Sequence, residues 1–448
     1  MRFEKRSEMP ASSQELFDWH ARPGAFERLT PPWQGAEIIS EDPGFSEGKE
    51  VKLKVSTPIG KRPWLARHTS CIAGEEFTDE QIAGPFKSWK HRHQFRYIDD
   101  QKSELIDSID FEMPVGSLGE TIARRQLEKM FDYRHWVTAR DLRLKASLPN
   151  FKPLKIAITG GNGFLGAQLS ALLKTQGHDV SVVTRSKRRD SDIRWDPAKG
   201  EIELPRLEGL DAVINLAGEN LTSGRWSDER KKRIYNSRID GTKLLVDAFL
   251  QLDEPPEVFL SGSASGYYGH HPEKEFDETS SAGEGFLAEV CQDWEAAALR
   301  AESARTRVCL LRTGIVIDPR GGALQKMLPA FRFGLGGPLG NGEQWFPWVS
   351  IEDWIGGVAW LLFAQKAKGP VNLVSPQALQ QKEFAKELGS ALSRPAVFPA
   401  PKVALRLALG EMADEALLAS AKVQPKALER LDYDFATPRL SDLLSRIL

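Results

Sequence analysis

The sequence predicts two parts: an α+β domain over residues 1–148, then a larger α/β domain over 155–448 with a doubly wound parallel sheet and a small C-terminal lobe. Three observations predict it. At 448 residues the chain exceeds what one hydrophobic core usually organises. Its character changes near residue 150, from charged, aromatic segments with strand-like alternation to short β-branched runs alternating with helical patterns. Between these halves SLPNFKPLK (147–155), with two prolines and an asparagine, reads as a linker.

In the first part a helical segment, Ser13–Glu27, precedes alternating stretches such as GKEVKLKVSTPIG (48–60) and SELIDSIDFEMPVG (103–116). A long amphipathic helix follows from Gly119 to Arg140, with Leu127, Met130, Phe131 and Trp136 at helical spacing. A long terminal helix across a curved antiparallel sheet can enclose an apolar cavity. This order resembles the helix-grip fold of START-like (SRPBCC, polyketide cyclase-type) domains, and the resemblance implies an apolar ligand. An α+β domain that only packs on its neighbour is the alternative.

The second part offers strands at Lys155–Thr159, Asp179–Thr184, Ala212–Leu216, Glu257–Ser261, Arg307–Arg312 and Val371–Val374. Helical patterns lie between them at Phe164–Gln176, Ser227–Leu250, Gly285–Ala304 and Ile351–Gln365. Strands alternating with helices of this length imply parallel βαβ units with right-handed crossovers.

The sharpest local signal is KIAITGGNGFLGAQL (155–169), a β-branched strand running through a glycine-rich turn into a helix. Gly160 permits the turn, Gly163 lets backbone approach a pyrophosphate, and Gly166 allows close helix–strand packing. Gly160, Gly161, Asn162, Gly163, Phe164 and Leu165 are therefore candidate cofactor-binding residues, with phosphates received at the helix N-terminus. At the end of the second strand a fingerprint for NAD carries Asp or Glu, but this chain reads VVTRSKRRD (182–190). Thr184 and Arg185 stand where a 2′ substituent would lie, so NADP(H) is expected over NAD(H). One or two of the basic residues 185–189 are expected to be merely solvated. Leu216, Ala217 and Gly218 supply small residues beside the cofactor, and Asn236 on the following helix is expected to face the sheet and order the site.

Together TGGNGFLG (159–166), VVTRS (182–186), NLAGEN (215–220), RW (225–226), NSR (236–238), SGYYG (265–269) and GLGGPLGNGEQWFPWVSIEDW (334–354) resemble an atypical branch of the extended short-chain dehydrogenase/reductases. That branch is the NAD-dependent epimerase/dehydratase-like family. The resemblance covers about 155–448 and implies a Rossmann core, a smaller C-terminal lobe with a helical segment near 395–448, and Arg238 at the cofactor. It further implies an oxidoreductase or epimerase acting on a small hydroxyl- or carbonyl-bearing substrate, and by analogy a homodimer.

Active members of that superfamily use a Tyr with a Lys four residues later, and a Ser that orients substrate. Ser263 occupies the Ser position, but GFLAEVCQDWEAA (285–297) places Leu287 and Cys291 in the other two. Neither can replace them, since Leu has no titratable proton and a thiol carries no positive charge. Three readings stay open. Tyr267 or Tyr268 serves as acid/base with another cation, Arg312 or Arg238. Alternatively, protons come from substrate or water, or the domain binds NADP(H) without turnover. Packing over the cofactor equally explains the tyrosine pair. In the Gly-rich aromatic loop Phe333–Trp354, Phe346 and Trp348 fit lobe packing, whereas Gln344 and Trp345 are the substrate candidates.

Composition excludes other classes. A formal net charge of -2 argues against nucleic-acid binding. Cys71, Cys291 and Cys309 are scattered, which fits a reducing, cytoplasmic setting, and no apolar run suggests a signal peptide or membrane span. No metal set is expected, because His91/His93 and His270/His271 lack supporting Cys or carboxylate spacing and read as exposed pairs.

Overall fold

The computed structural model describes residues 1–41, 46–57, 60–113 and 116–448. Residues 58–59 and 114–115, at the ends of two predicted strand stretches, lie outside the described residues. The chain divides into two compact units, Met1–Phe151 with Ala171–Gly177, and Lys152–Ser170 with His178–Leu448.

The first unit is a seven-stranded antiparallel sheet with helices. Its strands are β1 (Arg2–Met9), β2 (Ala36–Glu41), β3 (Glu50–Thr57), β4 (Gly60–Ile72), β5 (Glu76–Ala83), β6 (Ser88–Asp99) and β7 (Lys102–Glu112), in the order β1-β7-β6-β5-β4-β3-β2. The predicted first helix is two: α1 (Ser13–Ala21) and α2 (Ala25–Leu29). Arg22, preceding Pro23, is extended, and Gly24 turns at φ 95, so the helix must stop. The long helix α3 (Gly116–Ser147) runs past Arg140 to bury Leu142.

Alternation along β6 sends Trp89, His91, His93 and Phe95 inward. Trp89 joins one apolar cluster with Phe111, Leu127 and Phe131, and Phe95 joins another with Leu16, Trp19 and Phe77. His91 and His93, expected at the surface, are instead buried between these clusters, 4% and 7% exposed. Carboxylates make that burial tolerable, and they come from neighbouring strands: Asp79 on β5 and Asp107 on β7.

The second unit is built on an eight-stranded sheet in the order β11-β10-β9-β8-β12-β13-β15-β18. The strands are β8 (Lys155–Thr159), β9 (Asp179–Thr184), β10 (Ile193–Asp196), β11 (Glu201–Ile202), β12 (Ala212–Asn215), β13 (Val258–Ala264), β15 (Arg307–Thr313) and β18 (Gly369–Leu373). All neighbours are parallel except β10 and β11. Helices α4 (Phe164–Thr175), α5 (Asp228–Phe249), α6 (Phe286–Leu299) and α8 (Ile351–Phe363) form the crossovers. From β8 the chain winds first to β9 and then, from β12, to the other side. The switch point therefore lies between β8 and β12, where a crevice opens at the carboxyl ends of the strands.

Beyond the six predicted strands the unit holds β10 and β11 and two short parallel pairs, β14 (His271–Phe276) with β19 (Ala421–Val423) and β16 (Ile315–Asp318) with β17 (Trp348–Ser350). The C-terminal lobe adds α7 (Gly322–Arg332), α9 (Gln381–Ala391), α10 (Lys402–Leu409), α11 (Lys426–Arg430) and α12 (Leu440–Ile447). Phe346 and Trp348 pack in its core with Phe331, Phe384 and Leu444. No helix among the described residues is long and apolar enough to cross a membrane.

Candidate functional site

The loop from β8 to α4 is shaped by backbone contacts that only glycine allows. Gly160 sits at φ 69, and a Cβ there would come within 2.9 Å of the Leu216 carbonyl. At Gly166 a Cβ would fall 2.3 Å from the Gly160 oxygen, so α4 could not approach. Gly163 differs: its N–H donates to Gly160 at 2.8 Å, and an added Cβ would meet only that carbonyl, at 3.1 Å. The N–H groups of Phe164, Leu165 and Gly166 then find no acceptor among the described residues. Three free donors at a helix N-terminus, beside exposed Asn162 and Gly163, form a cradle for an anion.

Behind this loop runs a buried hydrogen-bond chain. Thr159 donates to Asn215 at 2.7 Å, Asn215 to Thr242 at 2.8 Å, and the Trp294 indole to Thr242 at 2.9 Å. The Thr159 hydroxyl also accepts from the N–H groups of Leu216 and Ala217, both at 3.0 Å, which holds the facing wall of the crevice. Asn236 is exposed and takes no part. Thr242, six residues on and so about 120° around the helix, is the side chain that faces the sheet.

Arg238 packs flat against Gly218, where a Cβ would lie 3.1 Å from the guanidinium carbon. It donates to the carbonyls of Ile234 and Glu219 and lies 5.3 Å from the Trp294 ring centre. Burial pulls its pKa down from the ordinary arginine value. In the basic loop after β9, Lys187 pairs with Glu203 at 2.7 Å. Arg185, by contrast, is exposed, and its guanidinium has no partner among the described residues. Thr184 closes the turn through weak bonds with Ser186.

A second cluster forms at the ends of β13 and β15. Arg312 is buried and holds Glu295 of α6 through two bonds of 2.8 Å. Ser263 donates to the same carboxylate at 2.6 Å. Arg312 also donates to the Tyr268 hydroxyl at 3.0 Å and lies 3.4 Å above the Tyr267 ring centre. The Tyr268 hydroxyl donates to Asn372 at 2.7 Å, and burial pushes its pKa up to about 12. Tyr267, half-buried, keeps a hydroxyl with no partner among the described residues. Cys291 is buried beside Glu295, and desolvation lifts its thiol to about 11. Leu287 packs on Gly266. The sequence reading did not find Glu295. Its signal was a carboxylate four residues after Cys291 on the apolar face of α6, a position that demands a buried partner.

Gln344 is buried, and its amide donates to the Leu339 and Leu417 carbonyls, both at 3.1 Å. The Trp345 indole donates to the Pro272 carbonyl at 3.1 Å, with Lys422 5.0 Å from its ring centre. Both side chains are thus engaged: Gln344 ties the loop to Leu417, and Trp345 ties it to β14 and β19.

Residues 156–373 match the NAD dependent epimerase/dehydratase family. An epimerase family protein of Mycobacterium leprae is 39% identical over 291 residues, 65% of this chain and 94% of that one. The chain belongs to the NAD-dependent epimerase/dehydratase family. Within it, the human epimerase family protein SDR39U1 is 36% identical over 297 residues, 66% of this chain and 99% of that one. A crystal structure of that human protein with NADPH superposes with a TM-score of 0.62 at 35% identity, covering 66% of this chain and 99% of that one. Residues 9–132 match the polyketide cyclase / dehydrase and lipid transport family, and 400–447 match a domain of unknown function. A Corynebacterium glutamicum protein described as a nucleoside-diphosphate sugar epimerase is similar along the whole length. It shares 30% identity at a TM-score of 0.81, covering 100% of this chain and 90% of that one.

Proposed function

We propose that the second unit binds NADP(H) and acts as an oxidoreductase or epimerase on a small molecule bearing a hydroxyl or carbonyl. The observation that carries this reading is the cradle of free N–H groups on Phe164, Leu165 and Gly166, with the unpaired Arg185 at the end of the adjoining strand. The N–H groups would hold the pyrophosphate, while Thr184 and Arg185 would hold the 2′-phosphate. Leu216, Ala217, Gly218 and Arg238 would line the opposite wall. The human relative's bound NADPH supports the same assignment.

When bound, the nicotinamide supplies or accepts hydride. This chain must then move a proton, and Tyr267 is the residue suited to do so: its hydroxyl is uncommitted, and a fixed guanidinium covers its ring. Glu295 keeps that guanidinium in place, with Ser263 bonded to the same carboxylate. Tyr268 is a positioning residue, since its hydroxyl is already engaged on both sides. The substrate class is that of the Corynebacterium relative at its broadest, a sugar nucleotide.

Two expected outcomes follow. Arg185→Ala should weaken NADPH binding by roughly 10- to 100-fold, the loss of one charge-assisted hydrogen-bond partner, and leave NADH binding unchanged. Fluorescence titration with both nucleotides measures this, and an equal loss for NADH would assign Arg185 to something other than the 2′-phosphate. Tyr267→Phe should lower kcat about 10²- to 10⁴-fold against a turned-over sugar nucleotide, with NADPH affinity unaltered. Tight NADPH binding without turnover of any sugar nucleotide would favour a silent nucleotide binder, the reading that Leu287 and Cys291 support.

A further inference from the structure

We propose that Asp79, His91 and His93 form a binding site for a divalent first-row transition ion inside the N-terminal unit. Asp79 on β5 stands directly opposite His91 on β6, and His93 is the next inward residue. One ligand atom from each lies within 4.8 Å of the others. His91 Nδ1 is 3.6 Å and His93 Nε2 3.4 Å from the same Asp79 oxygen. Those gaps exceed a charge-assisted hydrogen bond, about 2.7–2.9 Å. They fit the edge of roughly 3.3 Å that ligand bonds of about 2.0–2.1 Å make in a tetrahedron.

One further carboxylate stands behind both rings and bonds that of His91. His91 Nε2 bonds Asp107 Oδ1 at 2.9 Å, and His93 Nδ1 lies 2.6 Å from that oxygen at an oblique angle. The other Asp107 oxygen meets His135 Nε2 at 2.7 Å, and His135 Nδ1 in turn lies 2.9 Å from the Ser7 hydroxyl. A carboxylate behind a histidine settles which ring nitrogen carries the proton and turns the other lone pair inward. Access exists on one side: His91, His93 and Asp107 are buried, whereas the Asp79 side chain keeps 20% exposure.

Two imidazoles and one carboxylate suit Zn²⁺ or Fe²⁺, not Mg²⁺ or Ca²⁺, which prefer oxygen throughout. Three protein ligands leave a position for water or a small anionic ligand. The test is titration of the chelator-stripped full chain with Co²⁺, read by visible ligand-field absorption, then displacement by Zn²⁺ and by anaerobic Fe²⁺. One Co²⁺ per chain is expected. Asp107→Asn should weaken binding roughly 10- to 100-fold, and Asp79→Asn should weaken it further. His270→Asn, at an exposed histidine of the other unit, should change nothing. Asp79 is chosen because its partial exposure makes the substitution the least disruptive of the three, with circular dichroism confirming the fold. Absence of stoichiometric Co²⁺ binding by the unmodified protein overturns the proposal whatever the variants do. So does binding that survives Asp79→Asn in folded protein.

Discussion

Replacing Arg312 with methionine is expected to cost the folded second unit about 3–5 kcal/mol. Both partners of the pair are almost fully buried, with 4% and 7% of their side chains exposed, and Arg312 supplies two of the bonds that satisfy Glu295. Burial works against the arginine's charge, but Glu295 and Tyr268 more than offset it and hold the group protonated. Methionine approximates the arginine stem and leaves a carboxylate inside with Ser263 as its one remaining donor among the described residues. Urea unfolding followed by tryptophan fluorescence should show the transition of this unit at lower denaturant, with its slope unchanged. Adding Glu295→Leu to the same protein should recover much of the loss, because an apolar pair can replace a buried ion pair at little cost. A single variant that loses less than about 1 kcal/mol would mean that the pair does not anchor the site.

The second large effect concerns binding rather than folding. Gly163→Asp should abolish NADPH binding, an effect of several kcal/mol or roughly 10²- to 10³-fold, while leaving stability nearly intact. The geometry separates the two consequences. A Cβ at Gly163 meets only the Gly160 carbonyl, at 3.1 Å, so the loop needs to give by little. The new carboxylate would then stand beside the free N–H groups that attract an anion, and would occupy or repel from that position. Gly166→Ala makes the contrasting case, because its Cβ would lie 2.3 Å from the Gly160 oxygen and disturb the fold as well. Retention of NADPH affinity in folded Gly163→Asp would remove the phosphate cradle from the argument altogether.

Several features were readable before any coordinates. The strand, turn and helix around Gly160 lie in one contiguous run, so spacing alone implied the turn at Gly160 and the close packing at Gly166. The parallel sheet followed from alternating strands and helices, with each of the six predicted strands present to within a few residues at its ends. In the first unit, alternation marks the stretches 48–60 and 103–116, whereas Ser88–Asp99, the strand that carries Trp89, Phe95 and both histidines, is not among them. The same period of two that buries those aromatics also buries His91 and His93, and that deduction was available. The Pro23–Gly24 dipeptide carries the helix break in the sequence itself, and it ends α1 short of the predicted Glu27.

What the sequence determined by itself was local: backbone conformations, the face each residue presents, and a glycine turn whose parts are neighbours in the chain. Tertiary structure alone decided the pairings. Glu295 meets Arg312 because α6 lies across the end of β15, and Asp79 stands opposite His91 and Asp107 opposite His93 because β5 and β7 border β6 in that register. Periodicity tells which residues turn inward. Which carboxylate then meets which cation depends on strand order and register, and these are set by packing over the whole unit.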